Sequence, residues 1–290
     1  MTSLPRSRPF AQVDVFSADP YLGNPVAVVL DGSDLSDEQM ARFARWTNLS
    51  ETTFVLPATT TDADYRLRIW TPHGELPFAG HPTLGSARAW LRAGNDPRVA
   101  GTLVQECAAG LVRIHAPSSG SSEDDDAALS FEAPPTVRSG DLEDDVLRTI
   151  VEGLGITARD VLAHQWVDNG PGWAAVVLDS ADKVLALDPD VAALGAHKVG
   201  VVGPAPEGSA HRFEVRAFVP GARGYEDPVT GSLNASLAQW LIRTDRTPRE
   251  YVARQGTRLG RRGLVHVSSL GEDVLVGGAC TVCVSGSVLL

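Results

Sequence analysis

One half of this chain rewrites the other, and that repetition limits the available folds more than any other feature. Leu67-Arg68-Ile69-Trp70-Thr71-Pro72 leads to His81-Pro82-Thr83-Leu84-Gly85-Ser86 and then Ala89-Trp90-Leu91. Val215-Arg216-Ala217-Phe218-Val219-Pro220 leads to Asp227-Pro228-Val229-Thr230-Gly231-Ser232 and then Gln239-Trp240-Leu241. The arginines stand 148 positions apart, and His81 and Asp227 stand 146 apart. Ala27-Val28-Val29-Leu30-Asp31 recurs as Ala175-Val176-Val177-Leu178-Asp179, and Gly110-Leu111-Val112-Arg113-Ile114 as Gly263-Leu264-Val265-His266-Val267. Two repeats imply a pair of like domains, because a solenoid needs about three units. The natural place for a ligand in such a pair is the cleft between the halves.

The length of 290 residues allows two domains, each with its own core. An apolar fraction of 43% with 21% charged residues is ordinary for a soluble globular protein. No run approaches the roughly 18 apolar residues of a membrane span. Residues 1–9 are short, basic and without an apolar stretch, so they read as a ragged tail and not a signal peptide. A net charge of −11 argues against a nucleic-acid partner, although it says nothing of a local cationic patch. Three cysteines, an odd number, speak for a reducing, cytoplasmic compartment without a disulfide framework. Cys280 and Cys283 form a lone CxxC whose members face opposite ways on a strand, which makes them packing residues and not half of a zinc site.

The pattern along the chain mixes strands with few helices. Gln12 to Phe16 and Val26 to Leu30 read as strands. A helix follows, with Ser36 as cap, Gln39 completing a capping box, Leu35 stapled to Met40, and Asn48 as stop. Residues 51–56 and 65–70 read as strands, 85–92 as a helix ending at Gly94, and 102–105 and 111–114 as strands. In the second half, Val146, Ile150, Val151 and Leu154 mark an amphipathic helix ending at Gly155, and residues 232–243 another helix. Strands outnumber helices, with about two helices per half, so the fold class is α+β: a largely antiparallel sheet or open barrel around one main helix in each half. The expected domains are 1–117 and 128–279, joined by the acidic low-complexity stretch 118–127. The C-terminal strand 280–290 is free to join the first domain.

The two matched loops are the strongest places for chemistry. In each, a polar residue precedes proline and Gly-Ser opens an apolar helix, whose free N–H groups attract anions such as carboxylates. The plain alternative is that Gly-Ser is an N-cap and the proline turn punctuation. His81 and Asp227 are where the copies differ, and both can handle protons. Their plain alternatives are a surface histidine and an aspartate bonded within its own turn. Glu51 stands at the start of an apolar strand, where partial desolvation raises a carboxyl's pKa toward neutrality. An exposed glutamate is the alternative there. Arg68 and Arg216 read as structural ion-pair partners. There is no Walker A loop, no GxGxxG after a strand, no HExxH and no GxSxG. The seven histidines include no i, i+4 pair, so neither a metal nor a cofactor is expected and acid/base chemistry remains.

Asp14-Val15-Phe16 with Gly23-Asn24-Pro25, Asn48-Leu49-Ser50-Glu51-Thr52-Thr53-Phe54, Pro77-Phe78-Ala79-Gly80-His81-Pro82-Thr83-Leu84-Gly85, Glu226-Asp227-Pro228-Val229-Thr230-Gly231-Ser232 and Gln255-Gly256 together resemble the PhzF-like family of phenazine-biosynthesis isomerases and their relatives. The resemblance covers residues 10 to 285 or so. It implies the diaminopimelate-epimerase fold, with two pseudo-symmetric domains each built around a central helix, commonly as a homodimer. It further implies cofactor-free isomerisation, which in the phenazine enzyme acts on trans-2,3-dihydro-3-hydroxyanthranilate. Carried over by motif, Glu51 is the acid/base in the cleft, and His81 and Asp227 assist or position. Gly80, Thr230, Gly231 and Ser232 bind the substrate's carboxylate or amine. Racemases of the family place a cysteine in each loop, and this chain has none there.

The leading expectation is therefore an isomerase that moves a proton, and with it a double bond, in a small amino or hydroxy acid. The alternatives are bond cleavage of a related metabolite at the same site, as a lyase or hydrolase, and a non-catalytic protein that binds a small carboxylate.

Overall fold

The computed structural model describes residues 5–116, 128–221, 224–271 and 273–290. The acidic stretch 118–127 lies outside the described residues. No helix among those described is long and apolar enough to cross a membrane. The chain divides into two compact units, Met1–Glu132 with Gly277–Leu290, and Ala133–Val276.

In the first unit β1 (Ser7–Val15) pairs antiparallel with β2 (Asn24–Val29). Helix α1 (Asp37–Thr47) then carries the chain across to β3 (Glu51–Leu56), which runs parallel to β2. β4 (Tyr65–Thr71) pairs antiparallel with β3 and with β5 (Gly74–Leu76). Helix α2 (Gly80–Arg92) crosses to β6 (Thr102–Cys107), parallel to β4, and β7 (Gly110–His115) and β8 (Leu129–Glu132) follow antiparallel. Both of these parallel pairs have a helix in their connection, since a tight turn cannot reverse the chain twice.

The second unit repeats this order. A helix α3 (Asp144–Leu154) precedes β9 (Ala163–Trp166), which pairs antiparallel with β10 (Trp173–Val177). Helix α4 (Ala181–Ala186) leads to β11 (Lys198–Pro204), parallel to β10. β12 (Phe213–Val219) pairs with β11 and with β13 (Tyr225–Asp227). Helix α5 (Gly231–Arg243) crosses to β14 (Glu250–Gln255), parallel to β12, and then β15 (Gly263–Leu270) and β16 (Asp273–Gly278). The class is α+β, as the strand-rich pattern indicates.

The local signals explain the elements. Ser36 and Gln39 close the capping box on α1, Met40 lies in one cluster with Leu35, and Asn48 ends the helix in the left-handed region at φ 53°. Gly155 ends α3 at φ 67°. The helix expected from residue 85 begins five residues earlier, at Gly80. Its Pro82 lies in the first turn, where a missing N–H costs nothing. α2 and α5 are buried along most of their length. A Cβ at Gly85 would collide with Val26 and Val15, and one at Gly200 with Leu233, so glycine lets helix and strand meet. α3 and α5 are the two helices expected in the second half; the further one among the described residues is the short α4, whose cap Ser180 accepts from the Lys183 N–H.

Residues 7–9 are not part of a tail. β17 (Cys280–Leu289) returns to the first unit and pairs with all of β1, from Ser7 opposite Leu289 to Val15 opposite Cys280. Arg8 is buried and donates to the carbonyls of Asp31 and Ser33, both at 2.8 Å. The basic, proline-containing start masked a strand whose partner lies at the far end of the chain.

Candidate active site

Glu51 is the first residue of β3 and His81 the second of α2. In the first unit the strand start and helix start meet, and Glu51 Oε2 lies 3.3 Å from His81 Nε2. That is ion-pair distance without hydrogen-bond alignment, as His81 Nε2 has no aligned partner among the described residues. His81 is buried and Glu51 keeps 14% of its side chain exposed. On the other side of the ring, Asn24 Nδ2 lies 3.4 Å from His81 Nδ1. Asn24 is fully buried and opens β2, after a turn in which Gly23 N–H donates to Asp14 Oδ2 at 2.8 Å. Burial pushes the imidazole down to about 3, and the positive end of α2 acts in the same direction. The ring is therefore neutral near pH 7.

Gly80 opens α2, whose cap residue Ala79 makes no side-chain capping bond and whose first turn carries no acid. That leaves the polarity of the helix start for an anionic group. Thr53 and Ser86 share a hydrogen bond of 2.8 Å, and Gln105 donates to Thr83 at 3.0 Å, so the helix is bolted to its sheet.

Asp227, Thr230, Gly231 and Ser232 belong to the second unit, whereas Glu51, Gly80 and His81 belong to the first. Thr230 Oγ1 donates to Asp227 Oδ2 at 2.5 Å. Gln255 Nε2 donates to the Asp227 carbonyl at 3.0 Å and to Thr230 Oγ1 at 2.9 Å. Gln255 Oε1 accepts from Thr230 N–H at 3.0 Å and from Asn234 Nδ2 at 2.9 Å. Ser232, second in α5, accepts from Trp173 Nε1 at its Oγ and from Asn169 Nδ2 at its carbonyl, both at 3.1 Å.

The elements change how the repeat is read. Both central helices span 13 residues; aligned at their starts, Gly80 matches Gly231 and His81 matches Ser232. Asp227, the last residue of β13, then matches Leu76, the last of β5. His81 and Asp227 both precede proline but are not counterparts, since Pro82 lies inside a helix and Pro228 follows a strand. The arginines do repeat faithfully. Arg68 forks onto Glu75 with two bonds of 2.6 Å, and Arg216 onto Glu226 at 3.0 and 2.7 Å.

Four site-building residues carry no role in the sequence reading: Asn24, Asn169, Trp173 and Gln255. The first residue of β2 holds His81, and the first residue of β10 holds Ser232. Asn24 and Trp173 stand just ahead of the repeated Ala-Val-Val-Leu, and that placement was the available signal.

The sequence model of the phenazine biosynthesis-like proteins matches residues 13–286. The chain belongs to the phenazine biosynthesis-like family. It is 36% identical over 294 residues to antisense-enhancing sequence 1 of Schizosaccharomyces pombe, covering 96% of this chain and 97% of that one. It is 35% identical over 266 residues to the trans-2,3-dihydro-3-hydroxyanthranilate isomerase of Pseudomonas aeruginosa, covering 90% of each. Its fold matches the crystal structure of the Bacillus anthracis phenazine biosynthesis protein of the PhzF family with a TM-score of 0.82 at 21% identity, over 98% of this chain and 100% of that one. The chain is thus a member of an isomerase family, with the α+β fold of that family.

Proposed function

We propose that this phenazine biosynthesis-like protein is a cofactor-independent isomerase that moves a proton, and with it a double bond, within a small amino or hydroxy acid. Glu51 is its general acid/base. The observation that carries this reading is the partly exposed Glu51 carboxylate against the buried, neutral His81. Glu51 takes a proton from one substrate carbon, the double bond shifts, and the same proton or a solvent-exchanged one returns to another carbon. Nothing is oxidised or lost. The start of α2 at Gly80 suits the substrate's carboxylate. The assisting role of Asp227 and the binding roles of Thr230, Gly231 and Ser232 rest on the family resemblance.

Two features favour one base over a mirrored pair. β11, which matches β3 in the repeat, carries no acidic residue. All three cysteines, Cys107, Cys280 and Cys283, fall in the first unit, so a two-thiol mechanism with one thiol per unit has no second thiol.

The test is NMR in heavy water with trans-2,3-dihydro-3-hydroxyanthranilate and a panel of related amino acids. Wild-type protein is expected to introduce deuterium at carbon and move the double bond, with no change of mass beyond the exchanged hydrogens. Glu51→Gln is expected to lose at least about a hundredfold in exchange rate while keeping its circular dichroism spectrum. Full exchange in that variant would sink the assignment of Glu51. A product of altered mass would assign bond cleavage, and binding without exchange would leave a carboxylate-binding protein.

A further inference from the structure

Asn24 has no part in the chemistry described so far, yet it is fully buried against the ring beside the proposed base. An amide nitrogen has only protons to offer, so a ring nitrogen facing it must present its lone pair. With His81 neutral, the ring's one proton then belongs on the other nitrogen, Nε2, which faces Glu51 Oε2 at 3.3 Å. Glu51 on β3 and Asn24 on β2 are the polar groups facing the two ring nitrogens.

We propose that Asn24 is a positioning residue that locks His81 as the Nε2–H tautomer, so that His81 offers Glu51 a hydrogen-bond donor and not a second base. The functional part rests on Glu51 being the acid/base. A donor beside Glu51 favours its ionised form, the form that takes a proton from carbon. Once Glu51 is protonated, the Nε2–H has lost its best acceptor, which favours handing the proton back. His81 keeps its own proton throughout, so the proton balance lies between substrate, Glu51 and solvent. The 3.3 Å approach without alignment fits a contact that tightens when substrate enters. In other enzymes a wrong imidazole tautomer is costly even where the geometry survives.

The test uses the full chain labelled with 15N-histidine, with the His81 signal assigned by its absence in His81→Gln. Wild type is expected to show a neutral ring protonated at Nε2 from roughly pH 5 to pH 8. Asn24→Asp places an acceptor at Nδ1 and is expected to move the proton there or to charge the ring. Its kcat should fall at least about tenfold with KM nearly unchanged, while Asn24→Ala gives a mixture of tautomers. A wild-type ring protonated at Nδ1, or charged at neutral pH, overturns the proposal, as does Asn24→Asp with the wild-type tautomer. If neither Asn24 variant folds, the wild-type spectrum still decides. Full exchange by Glu51→Gln would remove the acid/base reading and leave the tautomer assignment standing. A failed tautomer assignment would leave the Glu51 result intact.

Discussion

His81 is a buried base held neutral, and that has a cost in acid. Its ordinary value of 6.5 applies to the unfolded chain, whereas burial brings it to about 3 in the fold. Below pH 6.5 the unfolded state binds a proton that the folded state refuses, so stability falls as pH falls, until both states are protonated near pH 3. One such proton gives a slope of about 1.4 kcal/mol per pH unit. Urea unfolding of His81→Gln is expected to show a shallower loss of stability between those values than wild type. Equal slopes would mean that the ring is charged in the fold. His211 and His266 are lowered by burial in the same direction and contribute to both proteins alike.

The repeated arginine forks test what burial does to one motif in two settings. In the second unit the side chains of Arg216 and Glu226 are 5% and 10% exposed, and Arg216 also donates to the carbonyls of Val184 and Leu187. In the first, Glu75 is 33% exposed, and Arg68 has a further partner in Asp37 at 2.7 Å. Glu226→Gln strands a buried cation and is expected to cost about 3–5 kcal/mol. Glu75→Gln leaves Arg68 paired and wetter, and about 1 kcal/mol is expected. Denaturation midpoints compare the two directly, and equal losses would mean that burial does not govern the forks. The forks tie β4 to β5 and β12 to β13, the strands leading into the two central helices.

At the scale of the molecule, the last strand completes the first unit. β17 covers the outer edge of β1, and Val288 and Leu290 pack beside Phe10 on the cluster of Phe43, Phe54 and Trp70. A chain ending at residue 279 would bare the hydrogen-bonding edge of a long strand together with that apolar cluster. Such edges recruit other strands. The shortened chain is expected to associate with rising concentration and to melt well below the full chain, as followed by light scattering and calorimetry. A monomer with unchanged melting would show that the closing strand is dispensable.

Much of this architecture was legible in the order of residues because its causes are local or repeated. The capping box at Ser36 and Gln39, the stop at Asn48, the strand from Glu51 and the arginine repeat all depend on near neighbours or on comparing the chain with itself. Glu51 and His81 could be singled out by residue type and motif. Their 3.3 Å approach could not, because it depends on a parallel strand and a helix start brought together by two crossovers. The true register of the repeat was hidden for a related reason: proline before a turn and proline inside a first helical turn look alike in letters. The strand at residues 7–9 was hidden because its partner is some 280 positions away. What the sequence determined alone was two like halves, their helix caps and the residue types available for proton transfer. The tertiary structure decided which of those residues touch, because burial, neutral charge and hydrogen-bond direction at His81 come from groups distant in the chain.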